Sequence, residues 1–294
     1  MKILLAIDSS TASQYVVNMA AARPWPSGTL FCVLSIVDMR LWNGLPQLIE
    51  DAQREAQFLV KGAAEKLTQS GHEVFSEVQL GLPKKAIPEC AKQWDADLVM
   101  VGAHGRSALT RLLLGSVARA VLHTSYCSVE IVRPGPTPST PSDGMKILLA
   151  TDGSECSAKA VYSVANRPWP PKSQIRIISV VDLSIVETQS TAPPMYIEYP
   201  ESVLESLIND ARTRAEDAVR DAQKVLGATG LVCQGETTPA GEPRTFILDE
   251  AKAWDADLIV LGSHGRHGWD RLIMGSVAES VAMHAHCSVE VVRS

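Results

Sequence analysis

The apolar run Ala96-Asp-Leu-Val-Met-Val101 leads directly into Gly102-Ala-His-Gly105-Arg106, and nine residues (106–114) then separate Gly105 from Gly115-Ser116. The same order returns as Gly262-Ser-His-Gly265-Arg266, followed by Gly275-Ser276 after nine residues, 266–274. An apolar run that ends in a glycine turn and leads to a helix start predicts a strand–loop–helix unit of a parallel α/β fold. Its occurrence twice makes a chance match improbable.

This glycine pattern favours a loop that binds an anion. Glycine has no Cβ, so backbone N–H groups can approach a ligand closely. A helix that starts at Gly-Ser presents unpaired N–H groups and the positive end of its dipole, which suits a di- or triphosphate. The alternative is that the glycines serve only the turn, although nine residues exceed what a turn needs.

The chain also contains an internal repeat. Met1–Asp8 returns as Met145–Asp152, an offset of 144, and 22 of the 40 residues in 94–133 recur in 254–293, an offset of 160. The second copy is therefore longer by 16 residues (160 − 144). The Pro/Gly/Ser/Thr-rich segment 135–144 is typical of a linker, so we expect one domain over 1–134 and a second over 145–294.

Apolar strands alternate with helical patterns in both copies, which predicts α/β domains with parallel sheets covered on both faces. In the first copy we expect strands at 2–7, 30–37, 73–79, 97–101 and 128–132, with helices at about 10–22, 47–70, 83–94 and 115–124. In the second copy we expect strands at about 146–151, 175–181, 231–238, 257–261 and 288–292. The extra segment 184–209 contains three prolines and is expected to be irregular.

Composition limits the possible functions. The chain has 294 residues, 46% of them hydrophobic, a net charge of −6 and no Lys/Arg-rich run, which argues against nucleic-acid and membrane-surface binding. No apolar run approaches the length of a membrane span, and the N-terminal run is too short for a signal peptide. The six cysteines form no CxxC pair, so we expect reduced, buried thiols in a cytoplasmic protein.

Several other residues are candidates for a site. Asp8 and Asp152 end the first strand of each copy, where an acid can bind ribose hydroxyls or a metal on the phosphates; the alternative is a helix N-cap. Arg106 and Arg266 are able to clamp phosphate, with a solvated surface charge as the alternative. His104 and His264 have no acid at a fixed spacing to orient them, which disfavours catalysis.

Other known site patterns are weak or absent. His284, His286 and Cys287 resemble zinc ligands by type, but Thr124 and Tyr126 stand at the equivalents of the two histidines, so zinc is disfavoured. There is no Gly-x4-Gly-Lys-Ser/Thr run, no Gly-x-Gly-x-x-Gly after the first strand and no Gly-x-Ser-x-Gly elbow.

With Asp8, Asp152 and two Gly-x2-Gly-x9-Gly-Ser motifs, the sequence resembles a tandem universal stress protein of the ATP-binding branch. The resemblance covers both halves apart from the linker and segment 184–209. It implies two doubly wound domains, each a five-stranded parallel sheet of order 3-2-1-4-5. It further implies that the last strands, Ser128–Val132 and Ser288–Val292, pair within one chain as a pseudo-dimer, and two chains could also form a homodimer.

The same resemblance implies roles for individual residues around ATP and Mg²⁺. Asp8 and Asp152 would contact the ribose and the metal region, and backbone groups of Val37 and Val181 would contact adenine. The phosphates would be held by the glycines and serines of the two motifs: Gly102, Gly105, Gly115, Ser116, Gly262, Gly265, Gly275 and Ser276. Ser9 stands where the second copy has Gly153, and segment 184–209 puts access to the second site in doubt.

Three functions are consistent with these features. The leading hypothesis is an ATP-binding stress protein with two sites per chain, in which nucleotide occupancy changes the loops 103–114 and 263–274 and so the surface for an unknown protein partner. The second is a slow ATPase or phosphoryl or nucleotidyl transferase using the histidines or the aspartates. The third is a non-catalytic scaffold with vestigial nucleotide sites.

Overall fold

The computed structural model describes residues 1–42, 45–105, 114–134, 144–182, 200–265 and 274–293. Within these ranges, the first repeat contains five strands, four helices and a 3₁₀ turn at Met39–Trp42. The strands are β1 (Lys2–Ala6), β2 (Leu30–Val37), β3 (Glu73–Leu80), β4 (Leu98–Gly102) and β5 (Ser128–Val132). The helices are α1 (Thr11–Ala22), α2 (Pro46–Gln69), α3 (Pro83–Gln93) and α4 (Ser116–Thr124).

The second repeat follows the same order. Its strands are β6 (Lys146–Ala150), β7 (Gln174–Val181), β8 (Val232–Ala240), β9 (Leu258–Gly262) and β10 (Ser288–Val292). Its helices are α5 (Glu155–Ala165), α6 (Glu201–Gly227), α7 (Pro243–Trp254) and α8 (Ser276–His284). None of the helices in the described ranges combines the length and apolar character needed to cross a membrane.

The expectation of irregular structure over 184–209 is wrong for its last nine residues. Residues 201–209 form the first turns of α6, while 183–199 lie outside the described residues. Pro200 is the N-cap of this helix rather than a break within a loop. The helix is long because its apolar residues recur on one face, where Ala215, Val219, Ala222 and Leu226 are buried.

The strands form one continuous sheet of ten strands, in the order β3-β2-β1-β4-β5-β10-β9-β6-β7-β8. Each repeat therefore has the expected order 3-2-1-4-5, and every strand pair within a repeat is parallel. β5 and β10 pair antiparallel, with Glu130 opposite Glu290. The expected pseudo-dimer is thus confirmed, with the two sheets merged into one.

The seam between the repeats carries two buried ion pairs. Arg23, which follows α1, donates two hydrogen bonds of 2.8 Å to the carboxylate of Glu130, and Arg167 contacts both oxygens of Glu290 at 3.0 and 2.8 Å. All four side chains are at most 5% exposed. Two glutamates can therefore face each other at the centre of the sheet because each has its own guanidinium.

Two further arginines cross the seam in opposite directions. Arg133 follows β5, and its Nη2 donates a hydrogen bond of 2.7 Å to the carbonyl of Ala282 in the last turn of α8. Arg293 follows β10 and donates a hydrogen bond of 2.6 Å to the carbonyl of Leu122 in α4. Each cation thus satisfies carbonyl groups at the C-terminal end of the other repeat's helix, where a positive charge is favourable.

Candidate functional site

The candidate site lies where the strand order reverses, between β1 and β4 in the first repeat and between β6 and β9 in the second. Ligands of open α/β sheets bind beyond the carboxyl ends of the strands at such a switch point. Asp8 follows β1 and is partly exposed there. One carboxylate oxygen, Oδ1, accepts hydrogen bonds from the Ser10 N–H (3.0 Å) and the Ser13 hydroxyl (2.8 Å).

The alternative that Asp8 is the N-cap of α1 is therefore wrong. The N-cap of α1 is Ser10, whose side chain accepts from the Ser13 N–H, and Asp8 holds that turn from outside. Its second oxygen, Oδ2, points instead to the glycine loop, because a Cβ on Gly105 would lie 3.2 Å from it. The structure thus places the first-strand acid next to the second glycine of the motif.

The other two glycines of the first motif are also closely packed. A Cβ on Gly102 would lie 2.8 Å from the Cβ of Ala12 in the first turn of α1. A Cβ on Gly115 would lie 3.1 Å from the Ala103 carbonyl and 3.4 Å from the Cα of His104. A side chain at Gly102 would therefore collide with α1, and one at Gly115 would be crowded by the loop, which is consistent with glycine at both positions of the motif.

The second repeat reproduces this arrangement with small differences. A Cβ on Gly265 would lie 2.9 Å from Asp152 Oδ2, closer than in the first repeat. Ser154 caps α5, and its hydroxyl donates a 3.4 Å hydrogen bond to the carbonyl of His264, a link to the glycine loop of this copy. Ser157, the equivalent of Ser13, donates to the Ser154 carbonyl.

The start of α4 provides the backbone donors of the site, although not from Gly115 itself. The Gly115 N–H already donates to the Ala103 carbonyl at 2.7 Å, as the Gly275 N–H does to Ser263 at 2.8 Å. Gly115 and Gly275 are the N-caps of α4 and α8 and provide no side-chain cap. The N–H groups of the first helical turn, from Ser116 and Ser276 onward, are therefore the ones left without helical partners.

Val37 and Val181 end β2 and β7, as expected, and their side chains are buried. The carbonyl of Val37 accepts a 3.0 Å hydrogen bond from Gly81, and that of Val181 accepts one of 3.2 Å from Gly241. A carbonyl oxygen has two lone pairs, so each retains capacity for one more donor.

The histidines of the motif differ between the repeats. His264 is 8% exposed, and its Nδ1 lies 2.9 Å from the hydroxyl of Ser263. His104 follows Ala103, which has no such hydroxyl. Within the described part of the chain, no three His, Cys, Asp or Glu side chains come together as metal ligands.

Two predicted site residues lie outside the described residues, and two residues near the site were not predicted from the sequence. Arg106 and Arg266 lie outside the described residues. Ser13 and Ser157 were not predicted as site residues, although both occupy the fifth position after the first-strand aspartate. That shared spacing was the available signal.

The fold and this crevice define a two-repeat α/β protein of the doubly wound class. The family model described as the universal stress protein family matches residues 1–133 and 145–293, so the chain belongs to this family. A universal stress protein of Mycolicibacterium smegmatis is 27% identical over 304 residues, covering 99% of this chain and 96% of its own. The universal stress protein YxiE of Bacillus subtilis is 32% identical over 149 residues, covering half of this chain and 98% of its own.

A solved structure supports the fold independently. The crystal structure of a universal stress protein from Archaeoglobus fulgidus aligns with a TM-score of 0.67, covering 99% of this chain and 96% of its own. Sequence identity to it is 21%, so the likeness concerns the fold alone.

Proposed function

We propose that each repeat binds one adenine nucleotide, ATP with Mg²⁺, and that the chain acts as a nucleotide-dependent regulator of a stress response. The observation that carries this proposal is the contact of Asp8 Oδ2 with Gly105, repeated by Asp152 Oδ2 and Gly265. An acid beside a glycine whose added Cβ would crowd the carboxylate, with a helix start behind it, matches a site for a ribose and a phosphate chain. Family membership is consistent with it.

Different residues of each site would contact different parts of the nucleotide. Asp8 and Asp152 would accept hydrogen bonds from ribose hydroxyls or take Mg²⁺ on the phosphates, because a carboxylate suits both. Backbone groups of Val37 and Val181 would contact adenine. The phosphates would lie against the motif loops and the first turns of α4 and α8, and Arg106 and Arg266 would add charge there.

The first test counts the bound nucleotide. Freshly purified full-length protein is denatured, the released small molecules are identified by mass spectrometry, and Mg·ATP is titrated into the emptied protein. Two equivalent sites predict two ATP molecules per chain. If the purified protein releases no nucleotide and none binds at saturating Mg·ATP, the proposal is wrong.

Glycine substitutions assign the sites to the repeats. Neither Gly105 nor Gly265 has a left-handed backbone, so alanine is tolerated there and its only effect is to push the aspartate away. We expect Gly105→Ala or Gly265→Ala to weaken one site about tenfold or more, equivalent to 1.4 kcal/mol. Gly62→Ala is the matched control because its Cβ would meet nothing within 4 Å. If the double variant Gly105→Ala/Gly265→Ala retains both sites, the glycine–aspartate contact is not part of the site.

The same samples distinguish the alternatives. Steady release of ADP that disappears in His104→Ala/His264→Ala would favour a slow ATPase or transferase. A chain that keeps its cellular role after loss of both sites would be a scaffold. A cytoplasmic location and a protein partner remain predictions from the sequence.

A further inference from the structure

Two buried cysteines of the first repeat lie close together between a strand and a helix. Cys32 lies in the middle of β2, Cys90 lies in α3 packed over that strand, and the two thiols are near enough to shift each other's pKa. They are 4% and 6% exposed, and Cys90 belongs to the same apolar cluster as Leu4 and Leu34. The adenine-binding edge proposed above does not use either thiol.

The second repeat shows independently that these two positions face each other. Arg176 has the sheet position of Cys32, since Leu148 pairs with Arg176 as Leu4 pairs with Cys32. Glu250 lies seven residues into α7 from Pro243, as Cys90 lies seven residues into α3 from Pro83. Arg176 and Glu250 form an ion pair between strand and helix. The strand–helix contact is therefore made by two thiols in one repeat and by two opposite charges in the other.

We propose that Cys32 and Cys90 form a redox site, at which a small hydroperoxide oxidises the two thiols to a reversible disulfide that links β2 to α3. Burial restricts the reaction to small oxidants, and a thiol already in contact can close the disulfide before a larger thiol compound reaches the sulfur. The second repeat has no equivalent, because an ion pair does not react with peroxide.

The thiols differ in readiness to react. Interaction with the Cys32 thiol lowers the pKa of Cys90, although burial of Cys90 opposes this, and the same interaction together with burial raises the pKa of Cys32. Burial raises the pKa of Cys127 to about 11 and that of Cys287 to about 12. Because the thiolate is the nucleophile, Cys90 is the sulfur expected to attack first.

The chemistry balances with a hydroperoxide as the only co-reactant. The Cys90 thiolate attacks one oxygen of hydrogen peroxide, the O–O bond breaks, and the sulfenic acid forms while hydroxide leaves and takes up a proton as water. The Cys32 sulfur then attacks the Cys90 sulfur, the S–O bond breaks, and the released oxygen leaves as a second water with the Cys32 proton. Two thiols lose two electrons, and one peroxide is reduced to two waters.

The test uses the full-length chain. Reduced protein is exposed to hydrogen peroxide, free thiols are blocked by alkylation, and peptides are mapped by mass spectrometry without reduction. We expect a peptide pair that joins Cys32 to Cys90 and lacks two hydrogens, and dithiothreitol should restore both thiols. We also expect the oxidised protein to unfold at higher urea concentration, because the new link constrains the unfolded chain.

Variants separate this pair from the other thiols. Cys32→Ser or Cys90→Ser should abolish the linked peptides, whereas Cys127→Ser and Cys233→Ser, the matched controls, should leave them unchanged. The peptide map of the unsubstituted chain decides the question even if a core variant folds poorly. Recovery of Cys32 and Cys90 as alkylated thiols after peroxide has oxidised other cysteines would overturn the proposal, as would a different cysteine pair.

Discussion

The two repeats are alike in the buried ion pairs of the seam and in the glycine–aspartate pairs of the candidate site, and unlike at the packing of the outer helices on the sheet. At the seam, Arg23 with Glu130 and Arg167 with Glu290 make the same buried contact. In the layer between β2 and α3, by contrast, the equivalent positions hold two thiols in one repeat and an ion pair in the other.

This difference indicates which contacts restrict the sequence. At the seam, each residue must fit both its own repeat and the other repeat, and a changed charge would remain buried and unpaired. In the outer layer, the paired positions belong to a strand and a helix of the same repeat, so any well-packed pair is adequate. The substitutions below test this distinction.

The largest effect is expected at the seam. Arg23→Met leaves Glu130 buried without its guanidinium and opposite Glu290, and loss of one partner of a buried pair costs about 3–5 kcal/mol of unfolding free energy. Arg167→Met should cost a similar amount, because the second pair is the same. Urea unfolding measures both.

The paired replacement Arg23→Met/Glu130→Leu is the control for this prediction. It removes both charges and should cost much less than Arg23→Met alone, since no ion is then left unpaired. If the double variant is as unstable as the single one, packing of the arginine against Trp25 and Trp169, whose rings lie 5.3 and 5.7 Å from its guanidinium carbon, matters more than charge.

These seam contacts also show the limit of the sequence argument. The strand–loop–helix units could be predicted because apolar periodicity and the glycine motifs are local signals. The strand order was implied by the resemblance to the universal stress protein family. The Arg23–Glu130 pair could not be predicted, because it joins residues 107 positions apart and periodicity carries no information on such pairs. The sequence Arg-Pro-Trp-Pro occurs at 23–26 and again at 167–170, so Arg23 and Arg167 are equivalent, but this repeat does not indicate which residues they contact.

The candidate site was predicted to a similar extent. The proximity of Asp8 to Gly105 follows from the order 3-2-1-4-5, which makes β1 and β4 neighbours. The engagement of the Gly115 N–H by Ala103 could not be deduced, because it depends on how closely the loop approaches the helix. The helix over 201–209 was missed because Pro200 was interpreted as part of a loop, although proline is well tolerated just at a helix start.

A smaller effect is expected where the seam itself is unlike. Arg119 donates a hydrogen bond of 3.1 Å to Oε1 of Glu279, which is its own equivalent in the second repeat. His123 Nε2 lies 3.0 Å from the same oxygen. Glu279→Lys places like charges together and should cost about 0.5–1 kcal/mol, a typical value for a partly exposed pair. Urea unfolding of the variant measures the loss.

The charge swap Arg119→Glu/Glu279→Arg is the matched control for this pair. It restores opposite charges and should recover most of the lost stability. The coupling between the two positions should shrink in 1 M salt, where charges more than about 3 Å apart are screened. A coupling that is independent of salt would mean that the contact is not electrostatic.

The smallest effect is expected from His72, which begins the segment leading into β3 and has Leu231 as its counterpart in the second repeat. Its ring lies 4.9 Å from that of Phe31, and burial lowers its pKa below the usual 6.5. At a pH between the lowered pKa of the folded state and the usual pKa of the unfolded state, the unfolded chain binds the proton more readily than the folded one. Stability therefore falls as the pH drops below 6.5 and levels off once both states are protonated.

His72→Leu should remove this part of the acid sensitivity. Urea midpoints at pH 7.5 and 5.5 measure it as the difference between variant and parent, since all other groups titrate in both. If the urea midpoint falls equally in the two proteins, His72 is too well hydrated in the folded state for its protonation to lower the stability of the chain.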